Sequence, residues 1–267
     1  MKLELSQEKR DHIMARSAAY EKARPKITLT GGGRPVVMDT SNRLCAWRVL
    51  GYFDKEPETI QWIEGMGEGD VLFDIGANIG LYTVWAAVTR PVTVYAFEPE
   101  ANNFAILNEN LRANGLTHRV QAFCAGISDI SGLGPMEVHD GAAGQSGHQV
   151  QVVRGPKFKS SKNKHVQGIM TVTLDHLVYT AALPCPTHIK IDVDGIEHAV
   201  IHGARRLIAD PRLKSVMIEL MLRDNFHQPV IDTLVAAGFD RDAAMEEAVR
   251  AKTTGVQYTG NVLFTRR

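Results

Sequence analysis

The stretch VLFDIGANIG, residues 71–80, decides the fold. Its first half is a short apolar run of the kind that forms a buried strand. Its second half places two glycines around an asparagine, which is typical of a tight turn whose backbone approaches a ligand closely. Asp74 stands just ahead of that turn. The stretch therefore predicts a strand that ends in a ligand-binding turn with a carboxylate beside it.

Apolar and helical segments alternate regularly around this turn. Strands are predicted at 71–75, 92–97, 120–127, 187–193, 214–220 and 260–265, the last paired with a less clear strand near 255–259. Helices are predicted at 79–89, 101–114, 195–209 and 228–237. This alternation is typical of a mostly parallel sheet with helices on both faces. The sequence therefore predicts an α/β, Rossmann-like domain.

The chain is expected to consist of this domain and an N-terminal appendage. The main domain is predicted to cover residues 56–267 and to begin with a helix that opens at Pro57. Residues 1–55 are predicted to form a cap of one mixed-charge helix and a hairpin. The cap helix is predicted at 1–24 and the strand-like runs around 36–38 and 44–50.

The charge balance and the cysteine count exclude several classes of protein. The 267 residues hold 30 Lys and Arg against 30 Asp and Glu, so no overall basic field draws the chain to nucleic acid or an anionic membrane. Three widely spaced cysteines without a CxxC pair support neither a disulfide framework nor a zinc ribbon. The N-terminus lacks the apolar core of a signal peptide, and no apolar run approaches the ~18 residues of a membrane span. The sequence therefore predicts a soluble cytoplasmic protein.

The turn after the first sheet strand does not fit a dinucleotide. A dinucleotide-binding turn requires G-x-G-x-x-G, but Asn78 and Leu81 occupy the second and third glycine positions. A fixed carboxylate at Asp74 would repel a diphosphate and would attract a cation. S-adenosylmethionine carries an ammonium and a sulfonium and no phosphate. The turn therefore favours that cofactor over a nicotinamide dinucleotide.

The second strand supports the same cofactor. It ends at Glu98, 24 residues beyond Asp74, close to the offset at which a ribose-binding carboxylate follows such a turn. Phe97 or Pro99 is expected against the adenine. The alternative is that both acids only satisfy turn amides. The predicted cofactor-binding residues are Asp74, Gly76, Asn78, Gly80, Phe97, Glu98, Pro99 and Asn103.

Five motifs in order resemble the FkbM-type family of S-adenosylmethionine-dependent methyltransferases: DIGANIG, VYAFEPEANNFAILNENLRANG, TVTLDHL, IKIDVDGIEHAVIHGARRLI and VMIELM. The resemblance covers residues 56–267 and includes EPET at 56–59. It implies a class I methyltransferase fold, with a seven-stranded mostly parallel sheet and an antiparallel C-terminal strand. It also implies O-methylation of a sugar, a glycan precursor or a secondary metabolite. His198, His202 and the lysine-rich loop 157–165 depart from the family pattern.

Acids at two further strand ends are the candidate catalytic groups. Methyl transfer to a hydroxyl requires an aligned acceptor oxygen and removal of its proton. Asp192 is predicted as general base or as the group that positions the hydroxyl, with Glu219 at the same sheet edge. Lys190 lies on the same strand face as Asp192 and is either catalytic or part of a structural ion pair.

A metal is a second interpretation of these acids. Asp192, Asp194 and Glu219 are predicted either to bind Mg²⁺ or to share a proton. Alternatively, Asp194 and Glu197 cap the following helix. His198 and His202 share a helix face, as metal ligands sometimes do, but no third ligand is visible and solvent-facing histidines remain the alternative.

The irregular, glycine-rich stretch 131–168 is predicted to be an acceptor-binding or lid insertion, with short strands at 136–139 and 149–153. Its basic residues are Arg154, Lys157, Lys159, Lys162, Lys164 and His165. They form either a solvated loop or a lid over an anionic acceptor, such as a nucleotide sugar or a phosphorylated or lipid-linked saccharide.

Other functions and partners were weighed against O-methylation. A nicotinamide-dependent oxidoreductase and a non-catalytic S-adenosylmethionine-binding regulatory module are the alternative functions. Nucleic acid is excluded as acceptor by the neutral charge and by IDVDG in place of (D/N)PP(Y/F). A homo-oligomer is left open.

Overall fold

The computed structural model describes residues 5–138, 141–150, 165–221, 227–252 and 259–266. The helices are α1 Gln7–Ala23, α2 Arg43–Leu50, α3 Tyr52–Lys55, α4 Pro57–Glu64, α5 Leu81–Thr89, α6 Ala101–Ala113, α7 Leu174–Tyr179, α8 Glu197–His202, α9 Arg205–Ile208, α10 Gln228–Ala236 and α11 Ala243–Lys252. The strands are β1 Lys26–Gly31, β2 Arg34–Asp39, β3 Val71–Ile75, β4 Thr93–Phe97, β5 Val120–Phe123, β6 Gly126–Ile127, β7 Gly132–Val138, β8 Gln149–Val150, β9 His165–Val172, β10 His188–Ile191, β11 Ser215–Met221, β12 Asp240–Arg241 and β13 Thr259–Thr265.

A seven-stranded sheet in the order β12-β13-β11-β10-β3-β4-β5 forms the centre of the protein. The five strands from β11 to β5 are parallel, whereas β13 is antiparallel to both of its neighbours. These strands confirm the predicted Rossmann-like α/β fold. The chain runs outward from β3 in both directions, so β3 and β10 flank the switch point where such sheets bind ligands.

Apolar residues cover both faces of this sheet. Along β3, Leu72 belongs to one buried cluster and Phe73 and Ile75 belong to another. The first cluster includes α4, α5 and α6, and the second includes α7 to α10. Because both faces of the sheet are buried, its central strands are continuous apolar runs in the sequence. These runs predicted β3, β4, β10 and β11.

The cap packs on the first of these clusters. The cap contains an antiparallel hairpin, but it pairs β1 with β2 rather than the predicted runs 36–38 and 44–50. Val36 and Met38 of β2 lie in the same buried cluster as Val84 of α5. The run 44–50, predicted as a strand, is wrong, because it forms α2. Asn42 accepts a hydrogen bond from the Cys45 amide at the start of this helix, which favours a helix over a strand. Helix α1 buries none of its residues. The boundary at residue 55 stays a prediction.

The insertion is more regular than predicted. Strands β7 and β9 pair along their lengths, and β6 and β8 complete a four-stranded sheet. The predicted strand 120–127 is divided between the sheets: β5 belongs to the central sheet and β6 to this one. The basic run from Arg154 to Lys164 lies outside the described residues, and only His165, the first residue of β9, is described.

Two further predictions concern the C-terminal part of the chain. The predicted helix 195–209 consists of the two short helices α8 and α9. They are separated near Gly203, where a Cβ would overlap the carbonyl oxygen of Ser128. Strand β13 pairs with β11 and β12, and the predicted partner strand near 255–259 falls almost entirely outside the described residues. Residues 253–258 lie outside the described residues.

Among the described residues, no helix combines the length and the apolar character that crossing a bilayer requires.

Candidate functional site

A cleft opens at the carboxyl ends of the parallel strands, at the switch point beside β3. Its space, counted to the open mouth, is about 810 Å³, which lies in the size range of small-molecule sites. Gly76, Glu98, Asp192 and Glu219 line it from four neighbouring strand ends. A second chamber of about 440 Å³ adjoins it and shares Gly76, Asn78 and Asp192 with it.

The turn after β3 adopts a left-handed backbone at three positions. The φ angles are +82° at Gly76, +51° at Asn78 and +82° at Gly80. A Cβ at Gly76 would overlap the carbonyl oxygen of Asp192, so only glycine fits between the two strand ends. Gly80 has a different task, because a Cβ there would overlap the side chain of Leu107. Gly76 thus lines the cleft, whereas Gly80 allows α5 and α6 to approach each other.

The carboxylate of Glu98 is bonded to backbone amides of the cleft. Its Oε2 accepts from the Asn78 amide at 2.7 Å and its Oε1 accepts from the Glu100 amide at 2.9 Å. Burial raises the pKa of Glu98 to about 7, although these amides lower it. The alternative that Glu98 satisfies backbone amides of the turn therefore describes a real contact. Each oxygen still has a second lone pair, and Glu98 lines the cleft together with Phe97 and Pro99.

Asp74 lies behind the turn. It is 1% exposed, and Thr83 Oγ1 donates to its Oδ2 at 2.5 Å. Burial raises the pKa of Asp74, and the charge of Lys190 on the neighbouring strand opposes this. Asp74 is not among the described residues that line the cleft. Its place in the fold is therefore one layer away from a bound ligand.

Lys190 is the centre of a buried charge network. Its Nζ lies 3.0 Å from Asp192 Oδ2 and 4.0 Å from Glu56 Oε2, and 4.8 Å from the ring centre of Tyr82. Burial would lower the pKa of Lys190, but Asp192, Glu56 and Asp74 together raise it. Burial likewise would raise the pKa of Glu56, but the charges of Lys190 and a neighbouring lysine outweigh it and lower this pKa to about 2. Lys190 is therefore a charged structural partner of Asp192.

Glu219 shares the cleft with Asp192 and is the acid that holds a proton. The charge of Asp192, followed by burial and by the charge of Glu56, raises the pKa of Glu219 to about 8. Two carboxylates that face one cleft release their protons at different pH values because like charges repel. This arrangement favours the proton-sharing interpretation of the two acids.

The predicted Mg²⁺ site is wrong for the part of the chain that the structure describes, where no group of three or more His, Cys, Asp or Glu is placed to hold a metal. Asp194 has a left-handed backbone, with a φ of +56°, and its Oδ2 accepts from the Gly147 amide at 2.7 Å. Glu197 is the first residue of α8 and accepts from the Gly195 amide ahead of the helix at 3.0 Å, while the N-cap residue Ile196 makes no side-chain hydrogen bond. No chemistry through a metal is assigned to these residues.

A strap, residues 141–148, crosses the cleft and is held by asparagines. Asn103 is fully buried; its Oδ1 accepts from the Gly144 amide at 2.6 Å and its Nδ2 donates to the Gln145 carbonyl at 3.1 Å. Asn78 Nδ2 donates to the same carbonyl at 2.9 Å. Asn78 and Asn103, predicted to contact the cofactor, therefore line the cleft and also fix its cover.

The cap holds the other side of the strap. Asn42 Nδ2 donates to the Ala143 carbonyl at 2.9 Å, and Arg48 Nε donates to the Gly144 carbonyl. A Cβ at Gly144 would be pressed against the backbone of α2. The strap thus joins the N-terminal cap to the turn after β3. Sequence analysis missed it, and its only signals were the asparagines themselves and the repeated glycines.

Comparison with known proteins identifies the family. Residues 74–241, which contain the turn and all the strand-end acids above, match the methyltransferase FkbM domain. The chain belongs to the FkbM methyltransferase family. It is 45% identical over 196 residues to the 31-O-demethyl-FK506 methyltransferase FkbM of Streptomyces tacrolimicus. This match covers 64% of this chain and 73% of that protein. The predicted family is confirmed, and the protein is a methyltransferase.

More distant relatives match as well. The hexuronic acid methyltransferase AglP of Haloferax volcanii is 30% identical over 158 residues, 59% of each chain. Among solved structures, the methyltransferase FkbM of Methylobacillus flagellatus aligns with a TM-score of 0.47 at 17% identity, covering 75% of this chain and 44% of that one. The precorrin-6Y C5,15-methyltransferase of Geobacter metallireducens aligns with a TM-score of 0.45 at 12% identity, covering 79% of this chain and 87% of that one.

The FkbM methyltransferase cleft contains three polar side chains that sequence analysis did not select. Arg48 of α2 and Lys55 of α3 line both chambers, and His148 of the strap lines the larger one. All three come from the cap or the strap, whose positions depend on long-range packing. No local pattern in the sequence places them at the strand ends.

The two histidines of α8 lie outside this cleft. His198 and His202 line an outer groove, where His202 Nδ1 lies 4.0 Å from Asp129 Oδ2. Since no metal-holding group includes them among the described residues, they do not contribute a second site to the methyltransferase.

Proposed function

We propose that the protein is an S-adenosylmethionine-dependent O-methyltransferase that acts on a hydroxyl of a sugar, a glycan precursor or a secondary metabolite. The observation that carries this proposal is the left-handed turn at Gly76 beside Glu98, at the switch point of the sheet. The family supports it, since one relative is named a 31-O-demethyl-FK506 methyltransferase and another a hexuronic acid methyltransferase.

The cleft fits the cofactor on three grounds. First, Gly76 lines the cleft with backbone atoms alone, because the Asp192 carbonyl occupies the space that a Cβ would need. Second, Glu98 has lone pairs for ribose hydroxyls, and Phe97 and Pro99 offer apolar surface to an adenine. Third, Asp192 and Asp194 line the cleft and favour a cationic sulfonium there. When bound, S-adenosylmethionine supplies a methyl group activated for displacement.

Asp192 and Glu219 are proposed to orient the acceptor. Asp192 faces the cleft and is held by Lys190, so its free carboxylate oxygen has a fixed position for accepting a hydrogen bond. Glu219 retains its proton near neutral pH and is able to donate one. A fixed acceptor beside a fixed donor suits a pair of neighbouring hydroxyls, the arrangement found in sugars.

An anionic group on the acceptor is the finer proposal. Arg48 and Lys55 project into the cleft from the cap, opposite the strand-end acids. Arg48 uses Nε on the strap, which fixes the orientation of its guanidinium, and a guanidinium binds carboxylate or phosphate in a defined geometry. The name of the hexuronic acid relative agrees with such an acceptor.

Cofactor binding and turnover test the proposed function. Titration calorimetry with S-adenosylhomocysteine and with NAD is expected to give binding of the first only. A screen of sugars, nucleotide sugars and secondary metabolites is expected to release S-adenosylhomocysteine from S-adenosylmethionine, equally with and without EDTA. Binding of NAD alone would favour an oxidoreductase. Binding of S-adenosylhomocysteine without turnover of any acceptor would favour a regulatory module.

Charge variants test the anionic acceptor. With R48Q and K55Q, the KM for an acidic acceptor is expected to rise about tenfold, the loss of roughly one charge-assisted hydrogen bond. The KM for S-adenosylmethionine is expected to change little. K22Q in α1, a helix with no buried residue, serves as the control. A rise in the cofactor KM alone would instead assign these cations to the carboxylate of the cofactor.

A further inference from the structure

His148 is the last residue of the strap and lies inside the cleft. Its side chain lines the cleft together with Asp192, Asp194 and Glu219, and the residue is only 9% exposed. A histidine placed among polar residues of a ligand cleft has two explanations. It either stabilises the loop that carries it or exchanges a proton with the ligand.

Asp194 is directed toward the part of the strap that carries His148. Its backbone is left-handed, and its Oδ2 accepts from the amide of Gly147, the residue next to His148, at 2.7 Å. Burial raises the pKa of Asp194, and the nearby charge of His148 is among the groups that lower it again. Asp194 and His148 line the same cleft, so a carboxylate and an imidazole lie near each other there.

The other acids of the cleft are poorly suited to take a proton. Asp192 Oδ2 is already engaged by Lys190 Nζ at 3.0 Å. Glu219 holds a proton up to about pH 8. Glu98 receives two backbone amides. An imidazole, by contrast, ordinarily titrates near 6.5, close to the pH at which proton transfer is most effective.

We propose that His148 is the general base of the methyl transfer and that Asp194 orients it and stabilises its protonated form. This inference rests on the proposed function. As the acceptor oxygen bonds to the methyl carbon, the bond from that carbon to sulfur breaks and the sulfur keeps the electron pair. The hydroxyl proton passes to an imidazole nitrogen of His148. The products are a methyl ether, a neutral thioether and an imidazolium, which later releases its proton to water.

The charges around His148 act in both directions. Asp194, Asp192, Glu219 and Glu98 face the same cleft from the strand ends, and Arg48 and Lys55 face it from the cap. Since Asp194 binds the amide next to His148, D194N is expected to lower the titration midpoint of His148. This readout tests the proximity of the two side chains independently of turnover, and the kinetic test below separates a base from a structural histidine.

Kinetics provide the first test. H148Q is expected to lower kcat by about 10²–10⁴-fold, with the affinity for S-adenosylhomocysteine within threefold of the parent. The acid limb of the kcat profile, which reports the base, is expected to disappear. H148A is expected to recover part of its rate on addition of imidazole. H118Q, at an exposed position in an outer groove, is the control and is expected to behave as the parent.

Nuclear magnetic resonance provides the second test. In protein labelled in its histidine rings, the resonance that H148Q removes identifies His148. Its midpoint is expected to fall in D194N and to stay unchanged in the exposed-residue variant D232N. The inference is overturned if H148Q keeps kcat within threefold of a parent that methylates its acceptor, or if D194N leaves the His148 midpoint in place. Failure of the parent to bind S-adenosylhomocysteine would instead overturn the proposed function.

Discussion

The ammonium nitrogen of Lys190 lies 3.0 Å from Asp192 Oδ2, at the point where β10 reaches the cleft. Lys190 is only 2% exposed, and Glu56 approaches the same nitrogen from the segment ahead of α4. The residue that orients Asp192 is therefore also the counter-charge of a buried acid. Fold stability and site geometry depend on one side chain.

Replacing Lys190 is expected to destabilise the fold. K190M leaves Glu56 and Asp192 without their cation, and removal of one partner from a buried pair costs about 3–5 kcal/mol. The free energy of unfolding in urea measures the loss. K214M is the matched control, because Lys214 also pairs with an acid, Asp70 at 3.2 Å, but its side chain is 58% exposed and such a pair contributes about 0–1 kcal/mol. Equal losses in the two variants would contradict the central role of Lys190.

The turn after β3 is expected to tolerate no side chain. G76A meets the carbonyl oxygen of Asp192 as well as an unfavourable φ of +82°. G115A has a φ of +64° and nothing within 4 Å of its new Cβ, so it isolates the left-handed penalty of about 1–2 kcal/mol. G76A is expected to lower the free energy of unfolding by at least about 1–2 kcal/mol more than G115A does. It is also expected to abolish binding of S-adenosylhomocysteine in calorimetry. Normal binding by G76A would show that the turn has room for a different ligand pose.

Release of the strap is expected when Asn103 is shortened. N103A leaves the Gly144 amide without its acceptor and removes one hydrogen bond to the Gln145 carbonyl. The free energy of unfolding is expected to fall by about 1–3 kcal/mol. Hydrogen exchange of residues 141–148 is expected to accelerate, and the affinity for S-adenosylhomocysteine to fall. N108A, which loses only a bond to the Phe104 carbonyl within α6, should leave both unchanged. Unaltered exchange in N103A would mean that the cap, Asn78 and Asp194 hold the strap without Asn103.

The raised pKa of Glu219 predicts a pH-dependent loss of stability. Its pKa rises from an ordinary 4.5 to about 8 in the fold. Between these values the folded protein keeps a proton that the unfolded chain has released. Stability therefore falls with rising pH, by up to about 1.4 kcal/mol per unit. E219Q removes this contribution and should flatten urea-unfolding curves between pH 5 and 8, whereas E247Q, at an exposed position, should not. Parallel curves for the parent and E219Q would refute the assignment.

Strands buried on both faces were readable from the sequence, since continuous apolar runs and turn residues mark them. Residues 71–75 form β3 as predicted, and 92–97 differs from β4 by one residue. Segments whose structure depends on residues far away in the sequence could not be predicted from such local patterns. The run 44–50 is helical because Asn42 starts a helix whose apolar side packs on the hairpin and α5, and β13 finds its partner more than forty residues back along the chain.

The same distinction between local patterns and long-range packing separates the site residues that were predicted from those that were missed. Glu98, Asp192 and Glu219 were predictable because parallel strands bring their carboxyl ends to one edge. Arg48 and His148 were missed because the cap and the strap reach that edge by routes that no local periodicity encodes. Asp194 was assigned to a metal because sequence spacing does not reveal that its carboxylate accepts from the Gly147 amide of the strap.

The hydrogen bonds that hold the strap all end on its main-chain atoms, at residues 141, 143, 144, 145 and 147. The shape of this segment is thus encoded by side chains outside it. Of the strap residues whose side chains are not needed for these bonds, Ser146 lines the cleft. Exchanging Ser146 is therefore expected to change the surface offered to an incoming molecule while leaving the path of the segment intact.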